Sequence, residues 1–239
     1  MEECIIKIEH LTKIFSDKTR ALNDVSFQIN KGDFLVLAGS NGSGKSVLMS
    51  LIAGLDSPTS GKIEVNGEVG LVFQDADAQI LGETPFEDVA FGAKNAGFKK
   101  EELTKCVNEA LKAVGMQNKA NAYARSLSGG EKRRLAVAGI LAMKRQIIIF
   151  DEPFANLDLP SVRLVCQILV QLKQNGNTII VLTHEIEKIL ALANRFIVLN
   201  QGKICFDGTA EEGLKENLEN WSIKNPLTQY KTLGDLLWL

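Results

Sequence analysis

Apolar and polar positions alternate with a period of two over Ile5 to Glu9 and again over Val25 to Ile29, after an Asn23-Asp24 turn. The pattern predicts two strands with one buried face each. Phe34-Leu35-Val36-Leu37-Ala38 is apolar throughout and predicts a central strand covered on both faces. Helical spacing follows over Lys45 to Ala53, with Gly54 as its stop. Ile63 to Val65 and Val69 to Phe73 are short strand-like runs around Asn66-Gly67, a dipeptide that favours a hairpin turn. From about Pro85 to Met143 the pattern turns helical, most clearly over Glu101 to Val114. Strand-like runs return at Ile147 to Phe150, Thr178 to Leu182 and Phe196 to Leu199, with a helix from about Ser161 to Gln174 between the first two. Strand, helix, strand in that order implies parallel pairing through right-handed crossovers. The fold class expected is α/β, with an N-terminal antiparallel β portion and a helical insert in the middle.

Composition narrows the setting. With 45% hydrophobic and 23% charged residues in 239, a packed core is expected rather than disorder. A formal net charge of -2 gives no pull toward nucleic acid, and no nucleic-acid partner is expected. The acidic start Met1-Glu2-Glu3-Cys4 does not read as a signal peptide. The apolar runs are strand-sized, short of the ~20 residues that cross a bilayer, so any part in membrane transport falls to a partner. Cys4, Cys106, Cys166 and Cys205 have no metal-ligand spacing and are expected to be reduced, mostly buried thiols of a cytosolic protein.

Gly39-Ser40-Asn41-Gly42-Ser43-Gly44-Lys45-Ser46 fits G-x-x-x-x-G-K-[ST], with a buried strand before it and a helix after it. Glycines let backbone N–H groups turn toward phosphate oxygens, and the helix start adds its positive dipole end. Lys45 supplies a point charge for the β- and γ-phosphates, and the Ser46 hydroxyl can ligate Mg2+. The run Ile147 to Phe150 ends in Asp151-Glu152, at the edge where parallel α/β sheets bind ligands. Asp151 would approach the magnesium beside Ser46, and Glu152 would orient or polarise the attacking water. Taken alone, two acids at a strand end are equally a solvated surface feature; beside the phosphate loop they read as a metal site. His184 follows another strand at the same edge and suits contact with a γ-phosphate, against the plainer reading of an exposed or capping histidine. His10 has only the plainer reading.

Leu127-Ser128-Gly129-Gly130-Glu131 is a second anion pocket, a hydroxyl and two glycines at a helix start, without a lysine or metal ligand of its own. Alone, it reads better as a capped helix start, Ser128 capping and Glu131 at the third position. An incomplete phosphate site gains a purpose if it completes that of another molecule.

Together these residues resemble the nucleotide-binding subunits of ABC transporters over roughly residues 5 to 210. The phosphate loop, Gln74, Leu127 to Glu131, Ile147 to Glu152, Asp158 and His184 fall where that family has its Walker A, Q-loop, signature, Walker B, D-loop and switch histidine. Phe15 stands where the family sets an aromatic ring against adenine. The resemblance implies a P-loop NTPase core of RecA-like kind in an ATPase domain over residues 1–210, with the helical subdomain at about 75–145, and a tail over 211–239. It implies ATP as substrate, Mg2+ as cofactor held by Ser46, Gln74 and, through water, Asp151, and catalysis by Lys45, Glu152 and His184. It also implies a head-to-tail dimer, in which Ser128, Gly129, Gly130 and Glu131 of a second ATPase subunit, the same or a homologous chain, complete each site and Asp158 lies at the junction.

The stretch from Phe73 to Gly92, with Glu131 to Arg134 and Ala136 to Met143, looks like the ATPases of energy-coupling factor (ECF) importers of vitamins and metal ions. That likeness implies a groove in which Asp77 and Gln79, each equally a solvated loop residue when taken singly, help receive basic residues from the coupling helices of a transmembrane partner, which in turn serves a substrate-binding membrane protein. The chain would then sit as a peripheral subunit on the cytoplasmic face of the cell membrane. Asp75-Ala76, Ala78, Glu131, Phe154, Asn156 and Leu159 depart from the commoner residues and suggest a specialised member. The alternative is a soluble ABC ATPase of the iron–sulfur cluster assembly type. Beyond about Glu211 the tail carries helical spacing at Leu214 and Leu218, then Trp221, and with its apolar end Leu236-Leu237-Trp238-Leu239 it suggests either a terminal helix packed on the core or a contact between ATPase subunits.

Overall fold

The computed structural model describes residues 3–228. In chain order its elements are β1 (Cys4–Ile14), β2 (Arg20–Asn30), β3 (Phe34–Ala38), α1 (Lys45–Ile52), β4 (Ser60–Val65) and β5 (Val69–Val72). Then come α2 (Pro85–Asn95), α3 (Lys100–Ala113), α4 (Gly129–Ala142), β6 (Ile147–Asp151), α5 (Leu159–Gln174), β7 (Thr178–Thr183), β8 (Arg195–Asn200), β9 (Lys203–Gly208) and the short α6 (Ala210–Gly213). The strands form an antiparallel sheet in the order β2-β1-β4 and a six-stranded sheet in the order β5-β6-β7-β3-β8-β9. In the second, β5 through β8 run parallel, and β9 returns antiparallel on β8. The fold is the α/β class expected, with the helices α2, α3 and α4 inserted between β5 and β6.

The unbroken apolar runs are the buried parallel strands, because both sheet faces are covered. On β3, Leu35 and Leu37 join a core with Ile8, Val25, Leu48 and Ile197 on the side of the antiparallel sheet. Phe34, Val36 and Ala38 join a second core with Val107, Leu135, Leu169 and Val181 on the side of the inserted helices and α5. The parallel registers then bring one end of three strands together. Ala38 pairs with Thr183 and Asp151 with Leu182, so the residues following β3, β6 and β7 emerge side by side.

Helix starts follow their capping chemistry. Thr84 and Glu87 form a capping box on α2 with a proline in its first turn, and Ser128 and Glu131 form another on α4. Asp158 caps α5 by accepting from Ser161 N, so the helix begins at Leu159, ahead of the Ser161 start that spacing alone suggests.

Three expectations are corrected. The runs around Asn66-Gly67 do not pair as a hairpin: β4 lies on β1, and β5 lies on β6 in the other sheet. Gly67 alone of the dipeptide takes positive φ, so the turn lacks the left-handed pair that a tight hairpin needs. The half-exposed β4 suits a sheet edge, whereas β5 is buried beside β6. Of the four free thiols only Cys106 is buried; Cys205 is exposed on β9, a strand the apolar pattern did not mark. Leu214 and Leu218 do not share a continuous helix: after α6 a 3₁₀ turn over 218–221 packs Leu218 into the core and sets Trp221 against Phe206, ring centroids 6.5 Å apart. The apolar end at 236–239 lies outside the described residues. No helix among the described residues is long and apolar enough to cross a membrane.

Candidate active site

The loop from Gly39 to Gly44 joins β3 to α1 across the top of the six-stranded sheet. Two of its glycines are required by space: a Cβ on Gly39 would lie 2.2 Å from the Leu199 carbonyl, and one on Gly44, at φ 107°, 2.5 Å from the Ala21 carbonyl. Within the loop Ser43 N donates to Ser40 O at 3.2 Å, and the buried Ser43 makes a second tie through its carbonyl, which accepts from Gly202 N. Lys45 opens α1 almost fully buried, its Nζ donating to the carbonyls of Gly39 (2.7 Å) and Ser40 (3.1 Å). Burial pulls its ammonium below the usual lysine range, with Glu152 and Asp151 opposing that pull.

Across from Lys45 stand the two acids. Ser46 Oγ donates to Asp151 Oδ2 at 3.1 Å, while Asp151 Oδ1 is buried without a hydrogen-bond partner. Burial pushes the Asp151 carboxyl up; Ser46 opposes that, Glu152 adds to it, and Lys45 and Arg133 oppose it more weakly. A buried carboxylate oxygen lacking a donor is costly, and a divalent cation bearing waters would satisfy it. Ser46, Asp151 and the exposed Gln74, which with Ser46 lines the same cleft, are therefore the groups that would hold a magnesium ion. Among the described residues no cluster of three or more His, Cys, Asp or Glu could hold a metal ion.

Glu152 takes a left-handed backbone, φ 45°, held by its N–H on the Leu182 carbonyl at 2.8 Å. Its Oε2 accepts from the Thr183 hydroxyl (3.0 Å) and from His184 N (3.4 Å). Its Oε1 lies 2.9 Å from His184 Nδ1 and 3.9 Å from Lys45 Nζ. Lys45 and Glu152 line a cleft of about 300 Å³ together with Phe15, Asn41, Gly42, Ser46 and Gln74, while His184 reaches it through Glu152. Phe15 is 40% exposed there, with Lys13 Nζ 5.6 Å from its ring centroid.

Ser128, Gly129, Gly130 and Glu131 do not line that cleft. They start α4, where Ser128 N donates to Glu131 Oε2 at 2.9 Å and Glu131 N donates back to Ser128 Oγ at 3.4 Å. Lys119 beside it, and then Ser128, hold the Glu131 carboxyl down at about 2. A Cβ on Gly130 would lie 3.3 Å from Ser161 Oγ, so the signature adjoins the start of α5 that Asp158 caps. Gly129 has nothing within 4 Å of its Cβ position.

A second cleft of about 540 Å³ lies between the segment after β5 and the approach to α4, with Asp77, Leu81, Glu83, Tyr123, Arg125 and Lys132 on its walls. Asp77 pairs there with Lys132. Gln79, expected in this groove, turns its amide onto the backbone instead, donating to Leu71 O (3.1 Å) and accepting from Phe73 N (3.0 Å).

Two residues close to this chemistry were not singled out in the sequence. Thr183 is wholly buried between β3 and β6 and touches Glu152; its signal was a hydroxyl ending an otherwise apolar run just before His184. Arg133 is 5% exposed on α4 and donates to Phe73 O (3.1 Å) and Ala155 O (3.5 Å), tying the segments before Gln74 and Asp158 to the signature helix. Its place in a run of basic residues hid it.

The sequence model of the ABC transporter family matches residues 22–155. The chain is 40% identical to an energy-coupling factor transporter ATP-binding protein EcfA of Methanocaldococcus jannaschii, over 87% of this chain and 80% of that one. It is 40% identical to an EcfA1 of Lacticaseibacillus paracasei, over 90% and 82%. Among solved structures it resembles cbiO1 from Clostridium perfringens, described as part of the ABC transporter complex cbiONQ, with TM-score 0.81 and 33% identity over 90% of this chain and 92% of that one. The ATP-binding cassette MJ0796, a dimer in a post-hydrolysis state bound to ADP and Pi, is similar at TM-score 0.80 and 28% identity, covering 86% of this chain and 99% of that one.

Proposed function

The chain belongs to the ABC transporter ATPases, among the energy-coupling factor ATP-binding proteins, and on that footing we propose that it energises a membrane importer of vitamins or metal ions as one of two ATPase subunits. The relatives named for such transporters support the importer reading over a soluble role in iron–sulfur cluster assembly. Its place is then the cytoplasmic face of the membrane, as a peripheral subunit. The cleft bearing Asp77 and Lys132 receives a transmembrane partner, which works with a substrate-binding membrane protein.

One observation carries the chemistry. Lys45, the Ser46–Asp151 pair and Glu152 converge on a single cleft with an aromatic ring at its mouth. Adenine stacks on Phe15, and the backbone N–H groups from Gly39 to Gly44 turn to the phosphates. Lys45 exchanges the Gly39 and Ser40 carbonyls for phosphate oxygens. Ser46, Gln74 and Asp151 would hold Mg2+, which when bound neutralises charge building on the β- and γ-oxygens. Glu152 orients the attacking water and accepts its proton, and His184 presents its outer ring nitrogen toward the γ-phosphate. Ser128, Gly129, Gly130 and Glu131 of a second ATPase subunit close the other side, with Asp158 at the junction. The structure of a related cassette as a dimer supports this arrangement.

Glu152→Gln keeps the shape of the side chain and removes its capacity as a base. ATP affinity, read by equilibrium binding, is expected to stay within about threefold while turnover falls about a hundredfold or more. Turnover near that of the parent protein would refute the role given to Glu152.

A further inference from the structure

The six residues of β7 are all buried, and the last of them, Thr183, is the one that ends in a hydroxyl at the ligand edge of the sheet. A wholly buried hydroxyl is costly unless it is paired. This one is paired twice, donating to Glu152 Oε2 at 3.0 Å and accepting from Glu185 N at 3.0 Å. A hydroxyl carries one proton, so with Glu185 N–H on its oxygen that proton is committed to Glu152.

The sheet register fixes this meeting. Asp151 pairs with Leu182, which puts Glu152 level with Thr183 across β6 and β7, and Ala38 pairs with Thr183 on the other side. The hydroxyl is thus wedged between the strand leading into the phosphate loop and the strand leading into the acids. Glu152 sits there with a left-handed backbone that its surroundings must hold in place. Its Oε2 is taken up by the Thr183 hydroxyl and by His184 N. Its Oε1 is the oxygen facing Lys45 and His184.

We propose that Thr183 is a positioning residue for ATP hydrolysis: its hydroxyl ties Oε2 of Glu152 to the end of β7 and leaves Oε1 to face the attacking water. The inference rests on the reading of Glu152 as the group that activates water. Removing one hydrogen bond to a charged group that matters only in the reacting geometry slows the reaction without weakening substrate binding.

Thr183→Val keeps the branched shape in the buried site and deletes the hydroxyl. In steady-state ATPase assays of the full-length chain, kcat is expected to fall about tenfold with the KM for ATP within about twofold. Thr183→Ser, which restores the hydroxyl, brings kcat back to within about threefold of the parent protein. Added to Glu152→Gln, Thr183→Val leaves the residual rate unchanged, because its effect passes through that carboxylate. A Thr183→Val turnover within about twofold of the parent protein overturns the proposal, as does a Thr183→Ser as slow as Thr183→Val. Full turnover by Glu152→Gln overturns instead the reading beneath it. Should Thr183→Val not fold by circular dichroism and thermal melting, Thr183→Ala against Thr183→Ser carries the same comparison.

Discussion

Lys45 shows how a motif residue is built before it is used. Its stem is buried at the start of α1, and its ammonium is occupied by two carbonyls of its own loop, with burial pulling its pKa down. An anion arriving in the cleft relieves that burden, since a phosphate is a better partner for a buried cation than two neutral carbonyls. Lys45→Ala is expected to lower ATP affinity by tenfold or more, on the order of 1.4 kcal/mol or above, measured by isothermal titration. Parent-like affinity would contradict the cradle. At this scale the sequence was informative where side chain and spacing carry the chemistry themselves, as in Gly39 to Ser46 and Asp151-Glu152. It was silent where a residue works by what the fold sets beside it. Thr183 meets Glu152 only because β6 and β7 pair in a particular register, and Arg133 meets Phe73 and Ala155 only because α4 lies across both. Gln79 illustrates the reverse: a polar residue read as facing a partner braces its own segment.

Among the elements, the parallel strands were legible as unbroken apolar runs, because both faces of that sheet are buried. The turn at Asn66-Gly67 misled because turn propensity is local, whereas β4 and β5 are sorted between sheets by what each can bury. The start of α4 bears most on function. Ser128 and Glu131 cap it within the chain, so the bland reading of a capped helix is realised there. Gly129 is not accounted for by that cap: it is the first residue of the helix, and an added methyl group would meet nothing within 4 Å. Alanine is the better helix former, by about 1 kcal/mol in a helix interior and less at a first position, so nothing in the fold itself asks for the glycine. The variant is expected to melt no lower than the parent protein yet lose ATPase activity by about tenfold or more, because in the proposed dimer the methyl group would stand where the γ-phosphate of ATP bound to the other subunit comes. Unchanged ATPase activity in Gly129→Ala would remove the glycine from the site.

In the whole molecule, the cleft that holds Lys45 and Glu152 and the surface that carries Ser128 to Gly130 are separate, and neither completes the other within one chain. The sequence suggested this through an anion pocket with no lysine of its own, and the fold keeps it beside the start of α5 rather than at the cleft. Hydrolysis in the proposed dimer therefore requires that ATP draw two ATPase chains together. Sedimentation of the Glu152→Gln chain, alone and with any second ATPase subunit that co-purifies with it, tests this most directly in the presence of Mg2+ with ATP or ADP. The account predicts that ATP yields a particle of two ATPase chains that ADP does not support. ATP bound at full occupancy by a chain that still sediments singly in both mixtures would contradict it.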